Sequence, residues 1–227
     1  MSALKFWVWL TEQNRLGGPA RQVLLEHFGS PEEVYYAEPG DLLQVEGITA
    51  DQAQALENKS LDRAQSILEE CARKDIFLLT AQDALYPQRL KNIYDPPLLL
   101  YGRGSMPLFD EEAAVAVVGT RKCSPYGTRA ASQLGYELAR QGGLVISGLA
   151  KGIDGAAHQG ALRAGGFTAA VLGGGVDVIY PPENRRLYED IAATGVLLSE
   201  YPPGTEPRGG HFPVRNRIIS GLSLAVV

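Results

Sequence analysis

The chain has 227 residues, of which 45% are hydrophobic and 21% charged, with a formal net charge of −5 and a pI near 5.3. This is the balance of a globular protein with one large domain or a medium and a small one, and it excludes a chain that is basic throughout. Any nucleic-acid site must therefore be a local positive patch on an acidic protein. Cys71 and Cys123 stand far apart in no metal-like spacing, so neither a disulfide scaffold nor a zinc site is expected. The apolar N-terminal stretch lacks the h-region and cleavage site of a signal peptide. No run is long enough to cross a bilayer, so a cytoplasmic protein without a membrane role is expected.

Residues 1–70 read as a small all-helical domain. Apolar residues recur at helical spacing, as in Phe6, Trp9 and Leu10, then Val23, Leu24 and Phe28. Gly17-Gly18-Pro19 opens a helix, Ser30 caps the next, and Thr49-Ala50-Asp51-Gln52 has the spacing of a capping box. Residues 42–56 resemble a helix-hairpin-helix. That turn carries Glu46 and Asp51 and no base, so a plain interaction module is the stronger reading.

Residues 71–110 read as a connector with short strands at Ile76–Leu79 and Leu98–Gly102, the second led in by Pro96-Pro97. From residue 111 the pattern becomes strand and helix in alternation. Strands are expected at Ala114–Val118, Leu144–Ser147, Thr168–Leu172, Val196–Ser199 and Leu222–Val227. Helices are expected at Tyr126–Arg140, Asp154–Ala164, Arg185–Ala193 and Val214–Ile219. The fold class is α/β, a Rossmann-like, mostly parallel sheet with helices on both faces, preceded by the small all-α domain. The final stretch reads as a strand in mid-domain, so 111–227 is expected to be a truncated Rossmann-like domain. Ligands on such sheets sit at the carboxyl ends of the strands.

Four strand ends carry the chemistry. The first runs into Gly119-Thr120-Arg121-Lys122-Cys123-Ser124, a loop ahead of a helix start with two bases. The second enters Gly148-Leu149-Ala150-Lys151-Gly152-Ile153-Asp154, where Asp154 can cap the next helix. His158 there is better read as a packed histidine than as a catalyst. The third enters Gly173-Gly174-Gly175, whose glycines permit a close backbone approach. After the fourth, Arg208, Arg215 and Arg217 cluster around Phe212, the combination that binds single-stranded nucleic acid through phosphate and base. The alternatives are that Phe212 is core and that Arg215 pairs internally with Glu200. Arg215 and Arg217 lie two apart, so they face different sides of a helix. No hydrolytic, metal or cofactor motif stands out, and no catalytic residue is assigned.

These loops, in this order, resemble the DNA-processing protein A (DprA, also called Smf) family. The resemblance rests on Val118-Gly119-Thr120-Arg121 with Ser124; Ser147-Gly148-Leu149-Ala150-Lys151-Gly152-Ile153-Asp154 with His158; Leu172-Gly173-Gly174-Gly175 with Tyr180-Pro181 and Asn184; and Phe212-Pro213-Val214-Arg215-Asn216-Arg217. It spans residues 86–227, and the helical N-terminus is similar to the family's sterile-alpha-motif-like domain. The resemblance implies a cofactor-free, non-catalytic single-stranded DNA binder that protects incoming DNA in natural transformation and helps load RecA recombinase. It also implies a homodimer in the full-length form. The implied nucleic-acid site is Gly119, Thr120, Arg121, Ser124, Gly148, Lys151, Gly173, Gly174, Asn184, Arg185, Arg208, Phe212, Arg215, Asn216 and Arg217. Pro182 stands where many members carry lysine, with Arg185 or Arg186 as substitutes. The competing enzyme reading is a phosphoribohydrolase of the same Rossmann variant, whose loop requires a glutamate that Gly173-Gly174-Gly175-Val176-Asp177 lacks.

Overall fold

The computed structural model describes residues 3–227. The N-terminal region folds into helices α1 (Leu4–Thr11), α2 (Gly18–Phe28), α3 (Pro31–Tyr36), α4 (Pro39–Leu42), α5 (Ala50–Ala55) and α6 (Asp62–Arg73). The expected caps form. Ser30 Oγ accepts from Glu33 N–H at 3.2 Å, and both hydrogen bonds of the Thr49/Gln52 box are present. Between α4 and α5 the backbone turns through Gly47 at φ +90°, a conformation open to glycine at little steric cost.

The strands are β1 (Phe77–Thr80), β2 (Leu99–Gly104), β3 (Ala114–Ala116), β4 (Leu144–Ser147), β5 (Thr168–Val171), β6 (Val196–Ser199) and β7 (Ala225–Val226). The remaining helices are α7 (Gln88–Lys91), α8 (Pro125–Arg140), α9 (Ile153–Arg163), α10 (Arg185–Thr194) and α11 (His211–Gly221). One seven-stranded sheet results, in the order β1-β2-β6-β5-β4-β3-β7. Strands β3 to β7 are mutually parallel, and β2 pairs antiparallel with both β1 and β6. The strands of the connector are therefore part of the sheet. Their pairing joins Tyr101 to Ser199, a long-range contact that local periodicity does not reveal.

Alternation along the strands directs side chains to two cores. Ile146, Val171 and Leu198 pack against Ile218 and Ile219 of α11 on one face. Val145, Ala170 and Leu197 face the other way, toward Ala157 and Ala161 of α9 and Ile191 of α10. The N-terminal helices share a third core around Trp7, Trp9, Leu24 and Ile67, which reaches Leu99 and Tyr101 of β2. The terminal segment departs from expectation. Residues 222–224 cap and leave α11, and β7 is two residues long, exposed at the sheet edge with only β3 beside it.

Candidate nucleic-acid interface

The ends of β3, β4 and β5 meet the start of α11 around a pocket of about 170 Å³. Gly148, Gly173 and Gly174 lie at its base, Arg121 and Lys151 at its rim, and Tyr180 and Phe212 form an aromatic wall. The sheet reverses its direction of growth between β3 and β7. The pocket sits away from that reversal because the first turn of α11 lies over the end of β5. There His211 Nδ1 lies 2.9 Å from the Gly173 carbonyl.

The glycines have an internal reason to be glycines. A Cβ on Gly119 would stand 2.7 Å from Ile153 Cγ1, and one on Gly174 would stand 2.8 Å from the Thr205 carbonyl oxygen. Close packing of the protein's own loops thus accounts for both, apart from any ligand. Asp154 departs from its expected role as well. The helix begins one residue earlier, at Ile153, so Asp154 lies inside its first turn. Its carboxylate instead accepts from the Gly119 and Gly148 N–H groups, each at 3.2 Å. It ties the first two loops together and occupies two amides expected to face a phosphate. The N–H groups of Gly173 and Gly174, by contrast, have no acceptor among the described residues.

Four of the five candidate arginines, those on the β3 loop and on or before α11, separate into distinct roles. Arg121 is exposed, and its guanidinium carbon lies 4.6 Å from the centre of the Phe212 ring. Arg208 is exposed on the loop before α11, and its guanidinium has no partner among the described residues. Arg215 is 4% exposed and donates from Nη1 to the carbonyl of Gly148 at 2.9 Å and to that of Val171. It braces two strand ends from below and does not reach the surface. Burial pushes its pKa down to about 10, Asp154 opposes that shift, and Arg121 adds to it. Arg217 points to the side of the helix away from the pocket, donating to Glu200 at 2.6 Å and to Asp95 at 3.2 Å. Glu200 therefore pairs with Arg217 and not with Arg215.

Other candidates are structural in whole or part. Ser124 caps α8 by accepting from Gly127 N–H at 3.2 Å. Thr120 Oγ1 accepts from Lys122 N–H at 3.2 Å. Asn184 donates to the carbonyls of Leu149 at 3.0 Å and Ala150 at 3.2 Å, restraining a loop in which Leu149 holds φ +54°. A non-glycine residue in that region is strained and persists only where its surroundings fix it. Lys151 pairs with Glu183, whose carboxyl it holds below the usual range. Arg185 is exposed at the start of α10, and Asn216 is exposed in the middle of α11. Phe212 is half-buried, neither core nor free, with Tyr180 centred 5.7 Å away.

Two features escaped sequence reasoning. Tyr180 belongs to the aromatic wall, yet its Tyr-Pro context signals only a turn. Tyr201 stacks on His211 with centroids 4.2 Å apart, a pairing across two loops without a local signal. His158 is fully buried, with Nδ1 2.7 Å from Thr168 Oγ1. Because Thr168 donates its own proton to Val145 O, His158 is the donor in that contact. Burial, assisted by Arg215, depresses its pKa to about 3.

Residues 77–227 match the family model for DNA recombination-mediator protein A. The chain belongs to this family. It is 40% identical to protein Smf of Synechocystis, over 98% of this chain and 57% of that protein. It is 47% identical to DNA processing protein DprA of Streptococcus pneumoniae, over 64% of this chain and 51% of that protein. The chain thus spans between 45% and 62% of the length of the curated relatives it matches. The crystal structure of the Streptococcus pneumoniae protein superimposes with a TM-score of 0.84 at 33% identity, covering 100% of this chain and 77% of that one. A second structure, of DNA processing protein A from Helicobacter pylori, is described by its single-stranded DNA binding mode. It matches with a TM-score of 0.60 at 35% identity, over 66% of this chain and 67% of that one.

Proposed function

We propose that the chain binds single-stranded DNA across the ends of β3, β4 and β5, protects it, and helps load RecA recombinase on it during natural transformation in the cytoplasm. The observation that carries this reading is the exposed Arg121 guanidinium lying on the Phe212 ring above the glycine-based pocket. Phosphate and base are the two features a single strand offers, and a cation beside an aromatic face matches both. The likeness to the Helicobacter pylori protein supports the same ligand. The proposed functional assembly is a homodimer.

The strand-end acids favour binding over hydrolysis. Asp154 is engaged by two amides, Asp177 by Lys74 and by Gly204 N–H, and Glu200 by Arg217. These three carboxylates are thereby engaged and not free to act with a second group as an acid/base pair. The reading is tested by fluorescence anisotropy with single- and double-stranded oligonucleotides. Recombinase assembly is then followed on strands coated with single-strand-binding protein. Preference for single strands and faster RecA nucleation are expected. Equal affinity for duplex, or release of free base from nucleoside monophosphates, would overturn it.

A further inference from the structure

Two further clefts lie near the pocket, and they differ in the cations they leave free. Toward α11 and the N-terminal helices, the surface passes from Phe212 to His211 and Tyr201 and then into a cleft of about 230 Å³. That cleft is lined by Glu12, Asp95 and Glu200, with Arg21 as its base. Arg21 already donates to the carbonyls of Thr11 and Gln13, at 2.7 and 3.1 Å. Arg217 nearby is held by Asp95 and Glu200. Glu12 is likewise paired with Arg63 at 3.4 Å, so every base here is already held by a carboxylate or carbonyl and the cleft offers a phosphodiester chain no free cation.

The other cleft lies across α9 and α10. Ala150 and Lys151 of the pocket touch Asn184 and Glu183 through a hydrogen bond and an ion pair. Those two residues line a second, larger groove of about 620 Å³. Arg163 and Arg186 stand in it, opposed by Asp190 and by Glu183. Arg163 is exposed and bonded only to neutral groups, with Nη2 2.8 Å from Ser132 Oγ and its guanidinium 5.9 Å from the Tyr136 ring centre. Its charge is therefore not neutralised. Arg186 is exposed, and its guanidinium has no partner among the described residues. Glu183 is already paired with Lys151, which leaves Asp190 as the one unpaired acid facing two unpaired guanidinium groups.

We infer that a bound single strand continues from the strand-end pocket over the Lys151–Glu183 pair into the groove between α9 and α10, where Arg163 and Arg186 take its phosphates. The inference rests on the pocket being a single-strand site, and it adds a direction and two contacts. The Lys151–Glu183 pair forms the sill between the two sites. Exposed ion pairs of this kind are easily exchanged, so an incoming phosphate replaces Glu183 at Lys151. Bases on this path need no specific recognition, and the groove reads the backbone alone.

The test compares oligothymidylates of about 4 and about 16 nucleotides, lengths that bracket the site sizes of single-strand-binding folds. Affinity is measured across a salt series for the unaltered chain, for Arg163→Ala with Arg186→Ala, and for Asp190→Lys. Each phosphate contact contributes about 0.7 to the logarithmic salt slope on single strands. The double variant should lose about 1.4 from that slope on the long strand and nothing on the short one. Asp190→Lys should add about 0.7 on the long strand only, a gain that impaired folding cannot mimic. An unchanged long-strand slope in both variants, or equal losses on the two lengths, would overturn the path while leaving the pocket in place. If the unaltered chain binds neither strand, the single-strand reading itself fails and the path with it.

Discussion

The helical N-terminal region and the sheet region are built on different physical terms. Residues 3–70 carry five Lys and Arg against twelve Asp and Glu, whereas residues 71–227 carry sixteen against fourteen. The first region is held by apolar and aromatic packing. Trp9, for example, lies edge-on to Tyr35 at 5.1 Å and donates from Nε1 to the Asn58 carbonyl at 2.9 Å. The second region buries an arginine and a histidine beneath its strand ends. The acidic half of the molecule repels a phosphate backbone, so attraction depends on a few guanidinium groups on the other half. Net charge alone hides this, because the −7 of residues 3–70 outweighs and masks the +2 of residues 71–227.

The comparison can be broken first at Trp9. Replacing Trp9 by Ala removes a buried aromatic side chain and should cost about 3–5 kcal/mol in urea unfolding. The folded fraction should keep its salt dependence of DNA binding, and a changed slope would show that the helical region touches DNA. Next is Arg215→Ala, which leaves the carbonyls of Gly148 and Val171 without their donor. A loss of about 2–3 kcal/mol is expected, in the range for buried polar groups left unpaired. Weaker DNA binding should accompany it as the loops relax. Full stability in this variant would contradict the bracing role.

A pH-dependent effect is expected in the sheet region. His158 has a pKa near 3 when folded, against about 6.5 when unfolded, so the unfolded chain binds the extra proton. Its contribution is complete above pH 6.5 and is lost as pH falls toward 3. His158→Asn should flatten the stability profile between pH 6.5 and 4 relative to the unaltered chain, measured by denaturant titration at each pH. Parallel profiles would show that His158 is protonated in the fold. The smallest effect is expected at Glu46 in the helical region. Glu46→Gln should shift DNA affinity by less than about twofold, because a distant exposed charge is screened.

The sequence shows the alternating elements clearly because short apolar strands and capped helices leave local patterns. Loop positions follow from them, since each glycine-rich stretch stands directly after a strand. Roles within the loops were harder to read. Arg215 and Arg217 can be seen to face different ways on α11, but only the packed sheet determines that Arg215 turns inward to the carbonyls and Arg217 outward to Glu200 and Asp95. The glycines suggest ligand approach, and packing against Ile153 and Thr205 explains them without one. Asp154 shows the same limit, because an N-terminal helix position does not reveal which loops a carboxylate can reach.

The central claim is that exposed arginines at the strand ends hold the phosphates of a single strand. It is tested most directly by measuring single-strand affinity across salt for the unaltered chain, Arg121→Ala and Arg208→Ala. Each variant should reduce the logarithmic salt slope by about 0.7 and weaken binding at low salt. Unchanged affinity and slope in both variants would contradict the site.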